Sequence, residues 1–237
     1  MRIEIRGENG VIKRINKMNE KEIKIEDLRE DYSLATLEVS NVFESPIRQF
    51  QKWFKEAHDT KIGEPNIMTL ATATKEGVPS ARIVLLKGVS EEGFRFYTNY
   101  DSHKGQELKE NLNVSLVFFW EALQRQVRIQ GMAYRMTEAQ STEYFQSRPK
   151  GSQIGAWASP QSQVLTDRNL LEKNVAQLTE KYANENKLPK PPQWGGYLVK
   201  PYKIEFWQGR SSRLHDRLLY TLTDLEPTRW TIERLAP

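Results

Sequence analysis

Three groups of basic side chains carry most of the chemical promise of this sequence. Arg82 and Lys87 bracket the apolar tetrapeptide Ile83-Val84-Leu85-Leu86. On a β-strand an odd separation sends side chains to opposite faces. The spacing therefore predicts one cation for each of two pockets, or else two strand-end charges reaching solvent. Tyr144 and Arg148 stand four apart, on one face of a helix, and Ser152 follows just beyond Pro149. A phenol, a guanidinium and a hydroxyl brought together suit a phosphate, because the Arg fork is rigid and the hydroxyls add neutral donors. A solvated helix face is the plainer alternative. In Arg213-Leu214-His215-Asp216-Arg217, a strand would put Arg213, His215 and Arg217 on one face. Three cations there repel unless an anion, an electron-rich ring or an ion-pair network lies against them.

Other chemistries are excluded by what is missing. The chain has no cysteine, so disulfides, thiolate nucleophiles, Cys-type zinc sites and iron–sulfur clusters are out. Redox work would need an organic cofactor or a metal on other ligands. His58, His103 and His215 lie far apart and form no metal-binding motif. There is no GxGxxG, no GxxxxGK[ST] and no GxSxG, so a dinucleotide fold, a P-loop and a nucleophile elbow are unsupported.

The elements that must position these residues follow from periodicity and punctuation. Ser45-Pro46 opens a helix whose Ile47, Phe50, Phe54 and Ala57 share one face. Strands are predicted over 67–74, 82–87, 94–98, 114–120 and 126–134, with a short helix over 103–110. Thr137 begins a capping box for a helix through Ser147. A longer helix follows Thr166-Asp167, with Leu170, Leu171, Val175, Leu178 and Tyr182 on one stripe, and Pro189, Pro191 and Pro192 end it. Strands return over 197–207, 214–222 and 230–232. Hairpin-linked strands with grouped helices point to an α+β, mainly β architecture or a barrel with peripheral helices.

The 237 residues suffice for one generous core, read as a single domain over 28–237 preceded by a charged, mobile extension over 1–27. A net charge of +4 permits anionic ligands without marking a nucleic-acid binder. No apolar run approaches the roughly 20 residues of a membrane span, and no secretory signal opens the chain, so a cytoplasmic protein is expected.

Longer motifs then give the sequence a family likeness. RIVLLKG (82–88), FYTNYDSHKGQEL (96–108), RQVRIQG (125–131), YFQSRPKGSQIGAWASPQS (144–162), WGGY (194–197), EFWQGRSSRLHDR (205–217) and ERLAP (233–237) run in order through most of the chain. Together they resemble the pyridoxamine 5′-phosphate oxidase family. The resemblance implies an FMN-binding split β-barrel that acts as a homodimer, each site drawing on both subunits. It implies oxidation of pyridoxamine or pyridoxine 5′-phosphate to pyridoxal 5′-phosphate, with O2 as acceptor and H2O2 released. By the same resemblance Arg82 meets the FMN phosphate, Ile83, Val84, Leu85 and Leu86 line the flavin, and Lys87 takes the substrate phosphate. Tyr97, Thr98, His103, Lys104, Gln126, Gln161, Ser162, Trp207 and Arg217 match further FMN contacts. Tyr144, Arg148 and Ser152 match substrate-phosphate ligands, Arg213, Leu214 and His215 match residues over the pyridine ring, and Arg29 and Tyr32 match a closing N-terminal segment. Catalytic roles fall to Arg213 and His215. The family usually has Arg where this chain has His103, which implies a weaker FMN grip at that position. Another split-barrel FMN reductase, or a non-catalytic carrier of FMN or pyridoxal phosphate, remains an alternative.

Overall fold

Ser45 and Pro46 open the first helix as their residue types predict. In the computed structural model α1 spans Pro46–Asp59; the Ser45 hydroxyl accepts from the Arg48 N–H at 3.3 Å, and Ile47, Phe50, Trp53 and Ala57 are buried. Phe50 anchors the core. Its ring meets those of Phe94 and Phe118 edge-on, each at 5.0 Å between centroids, and burying such a side chain stabilises by about 2–3 kcal/mol. The structure describes residues 30–61, 63–225 and 228–237. The extension expected over 1–27, and Arg29, lie outside them. Residues Tyr32–Pro237 form one compact unit.

The strands are β1 (Ile67–Ala73), β2 (Pro79–Leu85), β3 (Gly88–Ser90), β4 (Gly93–Asn99), β5 (Asn113–Trp120), β6 (Arg125–Arg135), β7 (Trp194–Gln208), β8 (Asp216–Leu225) and β9 (Thr228–Leu235). They make one curled antiparallel sheet in the order β2-β1-β5-β6-β7-β4-β3, with β8 and β9 continuing from β7. The α+β, mainly β split barrel with peripheral helices expected from the sequence is the observed fold. Inward faces alternate as half-buried strands require. On β5, Val114, Leu116, Phe118 and Trp120 point into the core.

The fifteen-residue β7 organises the rest. β6 lines one of its edges, while β4 and β8 share the other, β4 along the first half and β8 along the second. A register shift between Gln130 and Gly131 bends the β6–β7 ribbon. A side chain at Gly131 would sit 2.5 Å from the Lys200 carbonyl oxygen, so this position requires glycine.

Helix α2 (His103–Glu110) lies beside β1, and α3 (Glu138–Ser147), α4 (Lys150–Ala158) and α5 (Arg168–Lys181) group near the start of β7. Thr137 and Gln140 form the expected capping box of α3. A second apolar cluster of Phe145, Ile154, Tyr182, Leu188 and Trp194 seats this helical group. No α5 residue is buried, and Leu170 and Val175 are exposed.

Three expectations need correction. Helix α4 was not anticipated. The strand read over 82–87 is β2, which ends at Leu85. Beyond it the Leu86 N–H bonds to Asn66 while the Lys87 N–H bonds to Arg95 of β4, so the chain turns a corner. Arg82 and Lys87 are therefore not opposite faces of one strand. Likewise β8 starts at Asp216, and Arg213 lies in a single 3-10 turn with Ser212 and Arg213 at φ 54° and 60°. Arg213, His215 and Arg217 do not form one strand face.

Candidate active site

The corner after β2 opens onto a cavity of about 620 Å³. β2 supplies Arg82, Ile83, Val84 and Leu85, with Lys87 just past its end; β4 supplies Tyr97, Thr98 and Asn99. Lys104 comes from α2, Tyr144 from α3, Arg148 from its C-cap, and Ser152, Gly155 and Ala156 from α4. Ser159, Gln161 and Trp194 complete the lining. Four of these side chains are cationic and none is a carboxylate. So uneven a lining repels itself unless an anion enters.

Two groups of donors stand out within it. In the first, Lys104 Nζ reaches three neutral oxygens: Thr98 Oγ1 at 3.2 Å, and Ser102 Oγ and Gln161 Oε1 at 3.4 Å. Burial pulls its pKa below the usual lysine value, Arg82's charge adds to that, and Glu107 opposes it. Arg82 Nη1 bonds to the Leu70 carbonyl at 3.3 Å and to Thr72, and Nη2 to Ser80 and, at 3.3 Å, to Glu107. In the second group the Tyr97 and Tyr144 rings stack at 3.8 Å, and Trp194 lies nearly parallel to both. The Arg148 guanidinium sits 4.8 Å from the Trp194 ring centre. Its Nη1 is buried without a hydrogen-bond partner among the described residues, and burial lowers its pKa against the opposing pull of Tyr144. A buried donor of this kind is costly until a ligand accepts from it. Burial also raises the phenols of Tyr97 and Tyr144, which stay neutral donors.

Trp194 was absent from the expected site although the WGGY motif contains it. Lys190 holds it in place: the buried ammonium donates to the Trp194 carbonyl at 2.7 Å and the Pro191 carbonyl at 2.9 Å, and pairs with Glu138. Asn99, Gly155, Ala156 and Ser159 were also missed, being small or backbone-facing residues without a chemical signature. Of the expected residues, Leu86 is buried in the core instead. Ser162 stands exposed next to Gln161 at φ 71°. His103 keeps 66% of its side chain exposed and turns toward Glu107 at 3.7 Å.

Tyr32, Gln126, Trp207, Arg213, Leu214, His215 and Arg217 gather elsewhere, around the far end of β7. Gln126 and Arg217 flank Trp207 in register. The Trp207 and His215 rings lie 4.5 Å apart, and Tyr32 packs edge-on to Trp207 at 6.0 Å. Residues 32–37 are strapped down there. Gln124 Oε1 accepts from the Ser33 and Leu34 N–H groups at 3.1 Å, and Asp216 accepts from Leu37 N–H at 3.0 Å. His215 Nδ1 accepts from the Arg210 N–H at 3.1 Å, which leaves the proton of the neutral ring on Nε2. Burial and then Arg213's charge hold His215 below the ordinary imidazole range. Arg217 Nε donates to Glu205 at 2.9 Å. Trp194 and Trp207 mark opposite ends of β7, a contour of roughly 40 Å at ~3.3 Å per residue.

The outer face of β2-β1-β5 is largely apolar. Ile83 (62% exposed), Thr69 and Val117 pair across the strands, as do Ala81, Ala71 and Ser115, and Phe119 and Ile67 are exposed beside them. Ile83 also lines the cavity, so the open face and the cavity are continuous.

Comparison with known proteins adds the following. The family model described as "Pyridoxamine 5′-phosphate oxidase" matches residues 54–182, and that described as "Pyridoxine 5′-phosphate oxidase C-terminal dimerisation region" matches residues 194–237. The pyridoxine/pyridoxamine 5′-phosphate oxidase of Salinibacter ruber is 53% identical, covering 90% of this chain and 99% of its own. That of Paraburkholderia phymatum is 55% identical over 89% and 98%. Among solved structures, PhzG from Burkholderia lata, in complex with tetrahydrophenazine-1-carboxylic acid, superposes with a TM-score of 0.80 at 31% identity, covering 86% of this chain and all of its own. A pyridoxamine 5′-phosphate oxidase-related, FMN-binding protein from Nostoc punctiforme shares the fold with a TM-score of 0.63 at 16% identity, covering 81% and 98%.

Proposed function

The chain belongs to the pyridoxamine 5′-phosphate oxidase family of oxidoreductases, and from that premise we propose that it oxidises pyridoxamine and pyridoxine 5′-phosphates to pyridoxal 5′-phosphate with bound FMN. The amine reaction consumes O2 and water and releases ammonia and H2O2. The observation that carries this reading is the cavity with four cations and no carboxylate, which suits two phosphorylated ring compounds. When bound, FMN supplies the two-electron acceptor and passes the electrons to O2.

The chain's own part is to hold and orient. Arg82, Lys104, Thr98 and Gln161 grip the cofactor phosphate, and Ile83, Val84 and Leu85 line its ring. Lys87, Tyr144, Arg148 and Ser152 grip the substrate phosphate, with the buried Arg148 Nη1 donating to a phosphate oxygen. Clamping both molecules turns a bimolecular encounter into an oriented one. Gln126, Trp207 and Arg217 contact the cofactor, and Arg213, Leu214 and His215 cover the substrate ring, with Tyr32 closing over it. Neutral His215 exchanges a proton at Nε2.

These last residues come from a second copy. One small ligand cannot touch both ends of β7 in a single chain, whereas a two-fold dimer brings one end from each subunit together. The apolar face of β2-β1-β5 is the surface such a copy covers, in line with the match of residues 194–237 to a dimerisation region.

The likeness to PhzG brings one other substrate class, a tricyclic carboxylic acid. Four cations favour a phosphate dianion over a single carboxylate. The deciding experiment supplies FMN and pyridoxine 5′-phosphate aerobically without nicotinamide. Equal amounts of aldehyde and peroxide support the reading. Protein that takes up no FMN, or that turns over only with a reduced nicotinamide, overturns it.

A further inference from the structure

Behind the cavity wall a carboxylate is buried where only cations face the ligand. Glu107 of α2 is 4% exposed, and its partners come from two strands. The β1–β2 register sets Thr72 opposite Ser80, with Arg82 two residues beyond Ser80 on the same face. Thr72 Oγ1 donates to Glu107 Oε2 at 2.5 Å, and Ser80 Oγ reaches both carboxylate oxygens at 2.7 Å. Arg82 Nη2 stands 3.3 Å from Oε2, and His103 Nε2 3.7 Å from Oε1. Both hydroxyls also accept from Arg82. Burial alone would raise the Glu107 carboxyl. The hydroxyls of Thr72 and Ser80, with His103 and Arg82, outweigh it and hold the group below the ordinary carboxylate range.

We propose that Glu107 is a positioning residue for the cofactor phosphate: through Thr72 and Ser80 it fixes the Arg82 guanidinium on the cavity wall. This rests on the reading that Arg82 meets the FMN phosphate. A buried carboxylate is expensive unless every oxygen is satisfied, and here the satisfying groups are the same ones that orient Arg82. Both terminal nitrogens of Arg82 are committed to this frame, and Nε makes none of these bonds. The guanidinium is thereby locked in one rotamer before the ligand arrives, so its ordering entropy is not charged against binding. The frame also ties α2, and with it Lys104, to the β1–β2 ribbon. Sequence gave no hint of this role, because Glu107 reads as one more charge on a short polar helix.

The test compares the affinities of purified protein for FMN and for riboflavin, which differ only in the phosphate. Wild-type protein binds FMN the more tightly. Glu107→Ala lowers the FMN-to-riboflavin affinity ratio by ~10-fold or more, the scale of one charge-assisted hydrogen bond, with riboflavin affinity unchanged. Glu107→Gln, which keeps an acceptor for both hydroxyls, preserves the ratio. Riboflavin binding itself reports that the variant is folded. Should Glu107→Ala not fold, Ser80→Ala decides, since it removes the hydroxyl bridging Glu107 and Arg82 and lowers the ratio by about threefold. A wild-type ratio in folded Glu107→Ala or in Ser80→Ala overturns the positioning role, and so does a Glu107→Gln ratio as low as that of the alanine variant. Wild-type protein that binds the two flavins equally overturns instead the cofactor-phosphate reading beneath it.

Discussion

Replacing Arg148 with alanine tests the proposed substrate clamp. The guanidinium is half-buried over Trp194, and Nη1 has no hydrogen-bond partner among the described residues. Its removal therefore breaks no internal hydrogen bond through that nitrogen, and the fold should tolerate it. A charge-assisted hydrogen bond to a phosphate contributes about 1.5–3 kcal/mol. Its loss corresponds to roughly a 10- to 150-fold fall in kcat/KM for pyridoxine 5′-phosphate. Because the phosphate is held equally in ground and transition states, the loss falls on KM, with kcat within about threefold of wild type. Steady-state peroxide release measures both constants, and FMN titration of the same variant should return the wild-type affinity. Oxidation of unphosphorylated pyridoxine, however slow, should be unaffected. An unchanged KM, or an equal loss with the unphosphorylated alcohol, would refute the assignment of Arg148 to the substrate phosphate.

Two further outcomes follow from the other end of β7. His215 is held below the ordinary imidazole value by burial and by Arg213, so the folded state disfavours its protonation. Its contribution to stability is whole above the unfolded value of about 6.5 and is lost as pH falls from there through the lowered folded value. The melting temperature of wild type minus that of His215→Gln should accordingly shrink between about pH 7 and pH 5, and a flat difference contradicts the shift. At Gly209, an added methyl would lie 2.6 Å from Tyr32 Cδ2 and displace the ring from Trp207. Gly209→Ala should raise the KM for substrate while leaving FMN affinity intact; loss of FMN binding in its place would show that Tyr32 does not act as a closing group.

How legible the molecule was depends on whether a signal is local. The cap of α1 and the capping box of α3 are short-range hydrogen-bond patterns, and both formed where Ser45 and Thr137 stand. Helix α4 carries Gly151 and Gly155 in nine residues, and its formation owes more to Ile154 packing against Phe145 and Trp194 than to propensity. The run from Arg82 to Lys87 reads as one strand because apolar residues look alike on either side of a corner. Only the switch of hydrogen-bond partner from Asn66 to Arg95 marks the turn. The grouping of Tyr144, Arg148 and Ser152 was visible in spacing, since α3 and the start of α4 keep them close in sequence. Trp194 and Glu107 were invisible because their roles exist only once β7 meets β4 and α2 meets the β1–β2 ribbon.

The proposed oxidase site requires that the two ends of β7 come from different chains. Arg148→Ala and Arg213→Ala lie in the two different clusters, so a mixed dimer of the two variants has one site carrying both changes and one carrying neither. The measurement is pyridoxine 5′-phosphate oxidation, at substrate well below the wild-type KM, after the two impaired proteins are mixed and allowed to exchange subunits. Recovery of about a quarter of the wild-type rate per chain is predicted from random pairing. A mixture no more active than either variant alone would contradict the claim.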